Sequence, residues 1–208
     1  MRFLLPLDRS VYSIHCMTSL AARTRLINAM TAALQKRGLH GSGLTELLAA
    51  AGASKGVLYH HFPGGKTELA VAAVNATVIR LCKMLDERMA GNDPAAALMA
   101  WIDTAQNRLA ASGYENGCPL ATIALETTAA DVEIRAALGA GFSMIRVRMA
   151  DALLRAGYAS ASANALAALL LAAYEGGLLQ ARAAGTPEPM NLVGEALLSL
   201  LTLHRPPE

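Results

Sequence analysis

Apolar residues recur at helical spacing along almost the whole chain, and this periodicity most limits how the chain can fold. In the first such segment Leu26, Met30 and Leu34 fall on one face of a helix. Ala and Leu, which favour helices, dominate the sequence, whereas aromatic residues make up only 4% of the 208 residues. No segment alternates with the two-residue period of a strand. The sequence therefore predicts an all-α protein.

Glycine, proline and capping residues divide this pattern into about nine helices. Glu46 is placed to reach back toward the Gly43 amide as half of a capping box, and Ser54 to cap the third helix. The predicted helices span about residues 20–37, 44–51, 55–62, 66–89, 94–112, 119–128, 131–155, 161–184 and 190–203.

Positive charge is concentrated near the amino end. Residues 17–66 carry six Lys or Arg and one Glu, whereas residues 67–208 carry ten Lys or Arg and fourteen Asp or Glu. A compact basic segment joined to a mildly acidic one indicates that only the N-terminal part faces a polyanion.

Residues 43–62, GLTELLAAAGASKGVLYHHF, have the pattern of a helix-turn-helix: a short apolar-faced helix, a tight turn at glycine and a second short helix. The free amides and positive dipole at the start of the third helix suit phosphates or base edges. Gly56 permits close approach to DNA, and Tyr59 and the adjacent imidazoles can donate to phosphate oxygens. This chemistry predicts DNA binding.

The segment KGVLYHHFPGGKTEL (residues 55–69) resembles the signature of TetR-family transcriptional regulators, and the likeness covers about residues 22–74. GCPLATIALET (residues 117–127) resembles the LmrA/YxaF-like branch of that family. The resemblance implies that the third helix is the recognition helix and that Lys66 binds phosphate. It also implies a homodimer built on the last two helices, a ligand cavity in the C-terminal domain and, by family default, repression.

Two positions depart from the family pattern. Gly43 stands where members usually have Thr or Ser as a helix cap and phosphate ligand, so Ser42 would have to substitute. Val57 replaces a more usual Thr, Ser or Ala, and either touches a thymine methyl or simply packs. The predicted DNA contacts are Ser42, Thr45, Ser54, Lys55, Gly56, Val57, Tyr59, His60, His61 and Lys66.

The predicted organisation is a disordered extension (1–17), a three-helix DNA-binding domain (18–65) and a helical domain for effector binding and dimerisation (66–206). A small, apolar effector is expected to bind in the last of these, although each candidate for its cavity is equally explained as core, surface charge or interface. Those candidates are Trp101, Cys118, Glu126, Met144, Arg148 and Tyr174.

Small residues at Ala173, Gly177 and Ala181 recur every fourth residue and would let two helices approach closely. With Leu197 and Leu201 they form the predicted dimer seam. The alternative is ordinary packing within one chain.

Other classes of function are weakly supported. No nucleophile elbow, phosphate loop, paired acid or metal-ligand spacing marks an enzyme, and we expect no metal or other cofactor. His60 and His61 diverge by about 100° on a helix, which favours phosphate contact over metal binding. The stretch 156–174 has no charge, but its Gly, Ser, Asn and Ala content favours a buried helix over a membrane span.

The three cysteines, Cys16, Cys82 and Cys118, are odd in number and lack CxxC spacing, which argues against disulfides or zinc and fits a reducing cytoplasm. Cys118 is either a small buried hydrophobe or, less commonly, a redox sensor. The expected function is therefore a ligand-responsive repressor that binds operator DNA as a homodimer. The alternative is a DNA-binding regulator controlled by a protein partner or by thiol oxidation.

Overall fold

The computed structural model describes residues 9–91 and 93–205, apart from the side chains of residues 9–19. Within these residues the chain forms nine α-helices and no strand, which confirms the all-α prediction. The helices are α1 (Arg9–Arg37), α2 (Leu44–Ala51), α3 (Lys55–His61), α4 (Gly65–Arg88), α5 (Pro94–Ala111), α6 (Pro119–Glu126), α7 (Val132–Arg155), α8 (Ser160–Ala184) and α9 (Glu188–Leu203).

The one large difference from the predicted bounds is at the start of α1. This helix begins at Arg9, well before the predicted start near Leu20, because no Gly or Pro interrupts the chain between Pro6 and Gly38. Residues 9–17, part of the predicted disordered extension, are thus helical, and residues 1–8 lie outside the described residues.

The N-terminal helices pack around one group of buried side chains. Leu26, Met30 and Leu34 of α1 are buried with Leu58 and Phe62 from α3 and its end. Gly52 ends α2 in the left-handed conformation at φ 57°, and its amide donates to the carbonyl of Ala49, so the turn into α3 forms where the sequence predicted it.

Of the two predicted helix caps, one is confirmed and one is wrong. The Ser54 hydroxyl accepts a hydrogen bond from the Val57 amide at 3.3 Å and caps α3. Glu46 does not cap α2, because its carboxylate pairs instead with Arg37 Nη1 at 2.8 Å. That ion pair joins α2 to the last turn of α1.

The remaining helices form the C-terminal part around α4, which packs against α1 on one side and α7 on the other. Helix α8 packs against both α7 and α9, and α5 packs against α9. A contiguous core runs through both parts. The N-terminal and C-terminal helices therefore belong to one packed structure.

Helix α8 is long and apolar enough to cross a membrane by length and composition alone, with a mean hydropathy of 1.3 over its best window. In the structure 44% of that window is buried inside the molecule. Its burial between α7 and α9 is that of a core helix, as the sequence favoured.

Candidate functional site

Helices α2 and α3 are fixed on α1 by three side chains of α1. Arg25 Nε donates to the Ala51 carbonyl at the end of α2 at 3.0 Å, and Arg37 pairs with Glu46. The Arg23 guanidinium lies 5.2 Å from the centre of the buried Phe62 ring. These contacts join α2 and the end of α3 to α1.

The exposed face of α2 and α3 carries most of the predicted DNA contacts. Tyr59 is 51% exposed, and Val57 is half-buried and packs against the core. The exposed members of this face are Thr45, Ser54, Lys55, Gly56, Tyr59 and His60. A Cβ at Gly56 would meet only the Ser54 hydroxyl, at 3.7 Å, so the surface there is open to a partner.

His61 lies beside this face and is half-buried. Burial lowers the pKa of its imidazole, and the positive charges of His60 and Arg23 lower it further. His61 is therefore neutral near pH 7 and offers one donor and one acceptor. Lys55 is the only Lys or Arg of α3 and supplies its fixed positive charge.

Ser42 is not placed as the sequence predicted. It is only 2% exposed, and its hydroxyl donates to the Gly38 carbonyl at 2.6 Å. Residues 38–43, which we term the Leu39 turn, fold back on the end of α1. The Ser42 hydroxyl, which was expected to bind phosphate, is hydrogen-bonded within this turn instead. The predicted contact is wrong for this conformation.

Lys66 lies at the start of α4 and is half-buried. Its ammonium donates to the Leu39 carbonyl at 2.6 Å. Burial lowers the pKa of Lys66, while the nearby Glu126 carboxylate raises it. In the chain without DNA this ammonium therefore holds the Leu39 turn.

Glu126, at the end of α6, holds the same turn from the other side. Its Oε2 accepts hydrogen bonds from the amides of Leu39 at 2.6 Å and His40 at 3.0 Å. Gly38 has a φ of 73°, and a Cβ there would run into the Glu126 carboxylate. Glu126 was predicted to bind ligand, but in the structure its carboxylate joins α6 to the Leu39 turn.

The last turn of α1 is also bound by the C-terminal part. The Gly117 amide donates to the Gln35 carbonyl at 3.2 Å, and Arg182 Nη2 donates to the Lys36 carbonyl at 3.0 Å. The last carbonyls of a helix lack partners within it, and these donors satisfy two of them. A backbone amide of the loop before α6 and a side chain of α8 thus bind the end of α1.

A cavity of about 470 Å³ lies among α4, α5, α8 and the start of α6. Trp101 and Tyr174 stack in its wall, with ring centres 4.0 Å apart and planes 15° from parallel. Cys118 also lines it, so three of the six predicted ligand residues lie there. Gln35 and Gly117, the pair joined by the α1 hydrogen bond, line the same cavity.

The other three predicted ligand residues lie elsewhere. Met144 is 46% exposed on α7, and Arg148 pairs with Asp86 Oδ2 at 3.2 Å on the surface. Neither they nor Glu126 lines the cavity. No residue of α7 lines this cavity, so the two α7 candidates lie outside it.

Three arginines that were not predicted from the sequence line this cavity: Arg80 and Arg88 on α4 and Arg108 on α5. No local signal marks them, because an arginine on an amphipathic helix is normally solvated. They add cationic groups to the cavity wall that the predicted apolar effector would not use.

Comparison with known proteins identifies the family. A model of the tetR family of bacterial regulatory proteins matches residues 26–73, and one of the C-terminal domain of LmrA/YxaF-like transcriptional regulators matches residues 94–196. An uncharacterized HTH-type transcriptional regulator of Mycobacterium tuberculosis is 30% identical over 202 residues, covering 88% of this chain and 96% of that protein. The chain belongs to the TetR family of transcriptional regulators.

Two further similarities agree with this. The HTH-type transcriptional regulator LmrA of Bacillus subtilis is 29% identical over 182 residues, covering 86% of this chain and 96% of that protein. The crystal structure of regulatory protein TetR from Rhodobacter sphaeroides matches with a TM-score of 0.78 and 27% identity, covering 86% of this chain and 97% of that one. Regulators of the TetR family bind operator DNA and act as dimers, and they are not enzymes.

In this TetR-family regulator the predicted dimer seam is wrong. A Cβ at Gly177 would lie 3.0 Å from Met190 and 3.1 Å from Val193, so this glycine allows α8 to approach α9 of the same chain. Ala173 is half-buried and packs against the core. The others are buried within the chain: Ala181, Leu197 and Leu201. Ordinary packing within the chain was the correct alternative.

The exposed leucines of α8 and α9 are the better candidates for a TetR-type dimer surface. Leu169 and Leu179 on α8 are 48% and 52% exposed, and Leu192 on α9 is 60% exposed. Leu198 and Leu203 on α9 are exposed as well. Two apolar helices that each expose leucines fit an interface with a second copy.

Cys118, in the cavity wall, and Glu175 form a half-buried polar pair. Burial raises the pKa of the Cys118 thiol well above its ordinary value, and the Glu175 carboxylate adds to the shift. Burial likewise raises the pKa of Glu175, to about 7; the residue is half-buried as a whole, and its Oε2 is shut off from solvent. Since the thiolate is the reactive form, this environment favours the interpretation of Cys118 as an inert buried residue.

Proposed function

We propose that this chain is a homodimeric, cytoplasmic repressor that a small molecule releases from operator DNA by binding in the cavity among α4, α5, α6 and α8. The observation that carries this proposal is that Gln35 and Gly117 line the cavity and also join α1 to the C-terminal part at 3.2 Å. A ligand that moves the start of α6 would therefore move the end of α1.

Helix α6 extends this connection. Its first residue, Pro119, lines the cavity, and its last residue, Glu126, binds the Leu39 turn. The helix has only eight residues, so a shift at one end is transmitted along a short, rigid element. A ligand that favours one position of α6 would shift the population of DNA-binding conformations.

The proposed DNA contacts lie on the exposed face of α2 and α3. They comprise Thr45, Ser54, Lys55, Gly56, Val57, Tyr59, His60 and His61. Lys66 would join them by exchanging the Leu39 carbonyl for a phosphate oxygen. In a dimer the two α3 helices would enter successive major grooves about 34 Å apart on a partly palindromic operator.

Binding of the purified full chain to its own promoter fragment tests the proposal. Fluorescence anisotropy would compare that fragment with a random duplex of equal length at about 150 mM salt, where non-specific binding is weakened. We expect the promoter to bind at least about a thousandfold more tightly. Equal affinity for the two duplexes would refute operator recognition.

A variant and its matched control locate the interface. Tyr59→Ala removes an exposed ring from α3 and is expected to lower promoter affinity without dissociating the dimer. Tyr114→Phe changes a tyrosine outside the DNA-facing helices and should leave that affinity unchanged. Unaltered promoter affinity in Tyr59→Ala would show that another face contacts DNA.

A further inference from the structure

We propose that the effector is an organic anion that joins a carboxylate to a flat apolar group, and this refinement rests on the proposed function of the cavity. The juxtaposition that points to it is a set of hydrogen-bond donors, three of them cationic, beside a stacked aromatic pair in one cavity wall.

Arg88 is the central donor. It is half-buried on α4, and its Nη2 donates to the Thr104 hydroxyl at 2.7 Å. Its Nε is buried and meets no acceptor among the described residues. A guanidinium has donors only, so this N–H calls for an acceptor from a bound molecule or water.

Trp101 provides a second buried donor. The residue is 1% exposed and lines the cavity, and its Nε1 also meets no acceptor among the described residues. The indole N–H, like the guanidinium, only donates. Two unsatisfied donors in one wall favour a ligand with several acceptor atoms, as a carboxylate has.

The charge of the wall indicates that these acceptors are anionic. Arg80, Arg88 and Arg108 line the cavity, against Glu87 as the one acidic residue in the wall. Glu87 is exposed and lies 3.8 Å from Lys83. The wall therefore carries an excess of positive charge; Arg80 and Arg108, like Glu87, are exposed, whereas Arg88 is half-buried and the least solvated of the three arginines. A carboxylate can accept from such a guanidinium in bidentate geometry.

The rest of the cavity fits a flat apolar group. The stacked rings of Trp101 and Tyr174 present a planar surface, and Leu81, Met84 and Leu178 line the remainder. A volume of about 470 Å³ is within the usual range for small-molecule sites.

Tryptophan fluorescence of the full chain tests the inference, because Trp101 is the only tryptophan in the sequence and lines the cavity. The probes are phenylacetate and 4-phenylbutyrate, each compared with its neutral amide. We expect saturable quenching by the acids, with an affinity about tenfold or more above that of the amides, because hydrogen bonds to charged groups are the stronger ones. Equal binding of acid and amide, or no saturable quenching by either acid up to about 10 mM, would overturn the inference.

Variants identify the anion site. Arg88→Gln and Arg108→Gln should each weaken acid binding by about tenfold and leave amide binding unchanged. Because Arg108 is exposed, its variant folds even if the half-buried Arg88 is needed for stability. Arg146→Gln, on an exposed part of α7 outside the cavity, is the control and should bind the acids as the wild type does. Unchanged acid binding in both cavity variants would also overturn the inference.

Promoter binding is measured separately on the same preparations, without probe. If the acids bind through Arg88 and Arg108 but the promoter is not preferred over random duplex, the ligand class stands and the repressor function fails. If the promoter is preferred and the acids bind no better than their amides, the repressor function stands and the ligand class fails.

Discussion

The Glu126 carboxylate accepts a hydrogen bond from the Leu39 amide at 2.6 Å, and this contact joins α6 to the turn between α1 and α2. The Lys66 ammonium donates to the carbonyl of the same Leu39, also at 2.6 Å. Both backbone polar groups of Leu39 are thus bound by charged side chains of opposite sign. The start of the DNA-binding helices depends directly on the position of α6.

Gly38→Ala tests how closely Glu126 approaches this turn. Gly38 has φ 73°, where an alanine costs about 1–2 kcal/mol, and its Cβ would also displace the Glu126 carboxylate. Gly52→Ala is the matched control, since Gly52 has φ 57° with nothing within 4 Å of a Cβ. We expect Gly38→Ala to lower the free energy of unfolding in urea by at least about 1 kcal/mol more than Gly52→Ala. Equal losses of unfolding free energy in the two variants would show that the Glu126 carboxylate moves aside without cost.

Glu126→Ala in the same background separates the two causes. Removing the carboxylate removes the collision but keeps the left-handed backbone at residue 38. The additional loss caused by Gly38→Ala should therefore shrink in the Glu126→Ala chain, giving a coupling of about 0.5–3 kcal/mol in a double-mutant cycle. Additive effects would contradict contact between the two residues.

Lys55→Ala tests the electrostatic role of α3. A lysine that contacts phosphate contributes a slope of about 0.9 to the dependence of log affinity on log salt. We expect this variant to bind all duplexes more weakly and to flatten the slope by about 1, measured by anisotropy across salt concentrations. Lys83→Ala is the control, because Lys83 is 76% exposed on α4, outside the DNA-facing helices. A salt slope unchanged by Lys55→Ala would exclude the phosphate contact.

Glu175→Gln tests the cost of a buried carboxylate as a function of pH. The pKa of Glu175 in the folded chain is about 7, above its ordinary 4.5. Between these pH values the carboxyl group is therefore protonated in the folded state and ionised in the unfolded state. Stability contributed by this group is therefore lost as pH rises from about 4.5 to 7 and stays lost above that, up to about 3 kcal/mol.

The amide variant should consequently be more stable than wild type at pH 8 and close to it at pH 4.5, measured by thermal unfolding. Asp103→Asn, an exposed carboxylate on α5, is the control and should show no such pH-dependent gain. A gain of the same size at both pH values would mean that the Gln side chain stabilises for another reason.

Leu192→Glu tests the dimer surface. Leu192 is 60% exposed on α9, and a charge there should cost more in a buried interface than in a free chain. We expect the variant to shift from dimer to monomer in light scattering after size exclusion. Ile79→Glu, at a 65% exposed position on α4, should stay dimeric. A dimeric Leu192→Glu would place the interface elsewhere.

The sequence alone determined the features that depend on near neighbours along the chain. Helical periodicity and glycine stops placed eight of the nine helices to within about two residues, and the Ser54 cap formed as predicted because it acts across one turn. The composition of residues 43–62 likewise identified the DNA-facing helices, since their exposed and buried faces follow from local spacing.

Only the tertiary structure shows which residues each helix face contacts. Periodicity shows that Gly177 and Ala181 share a side of α8, but only the fold shows that this side meets α9 of the same chain. Glu126 binds the Leu39 amide, 87 residues away in the chain, and Arg88 of α4 donates to Thr104 of α5. Such contacts depend on how helices pack in space, which the spacing of residues along one helix does not encode.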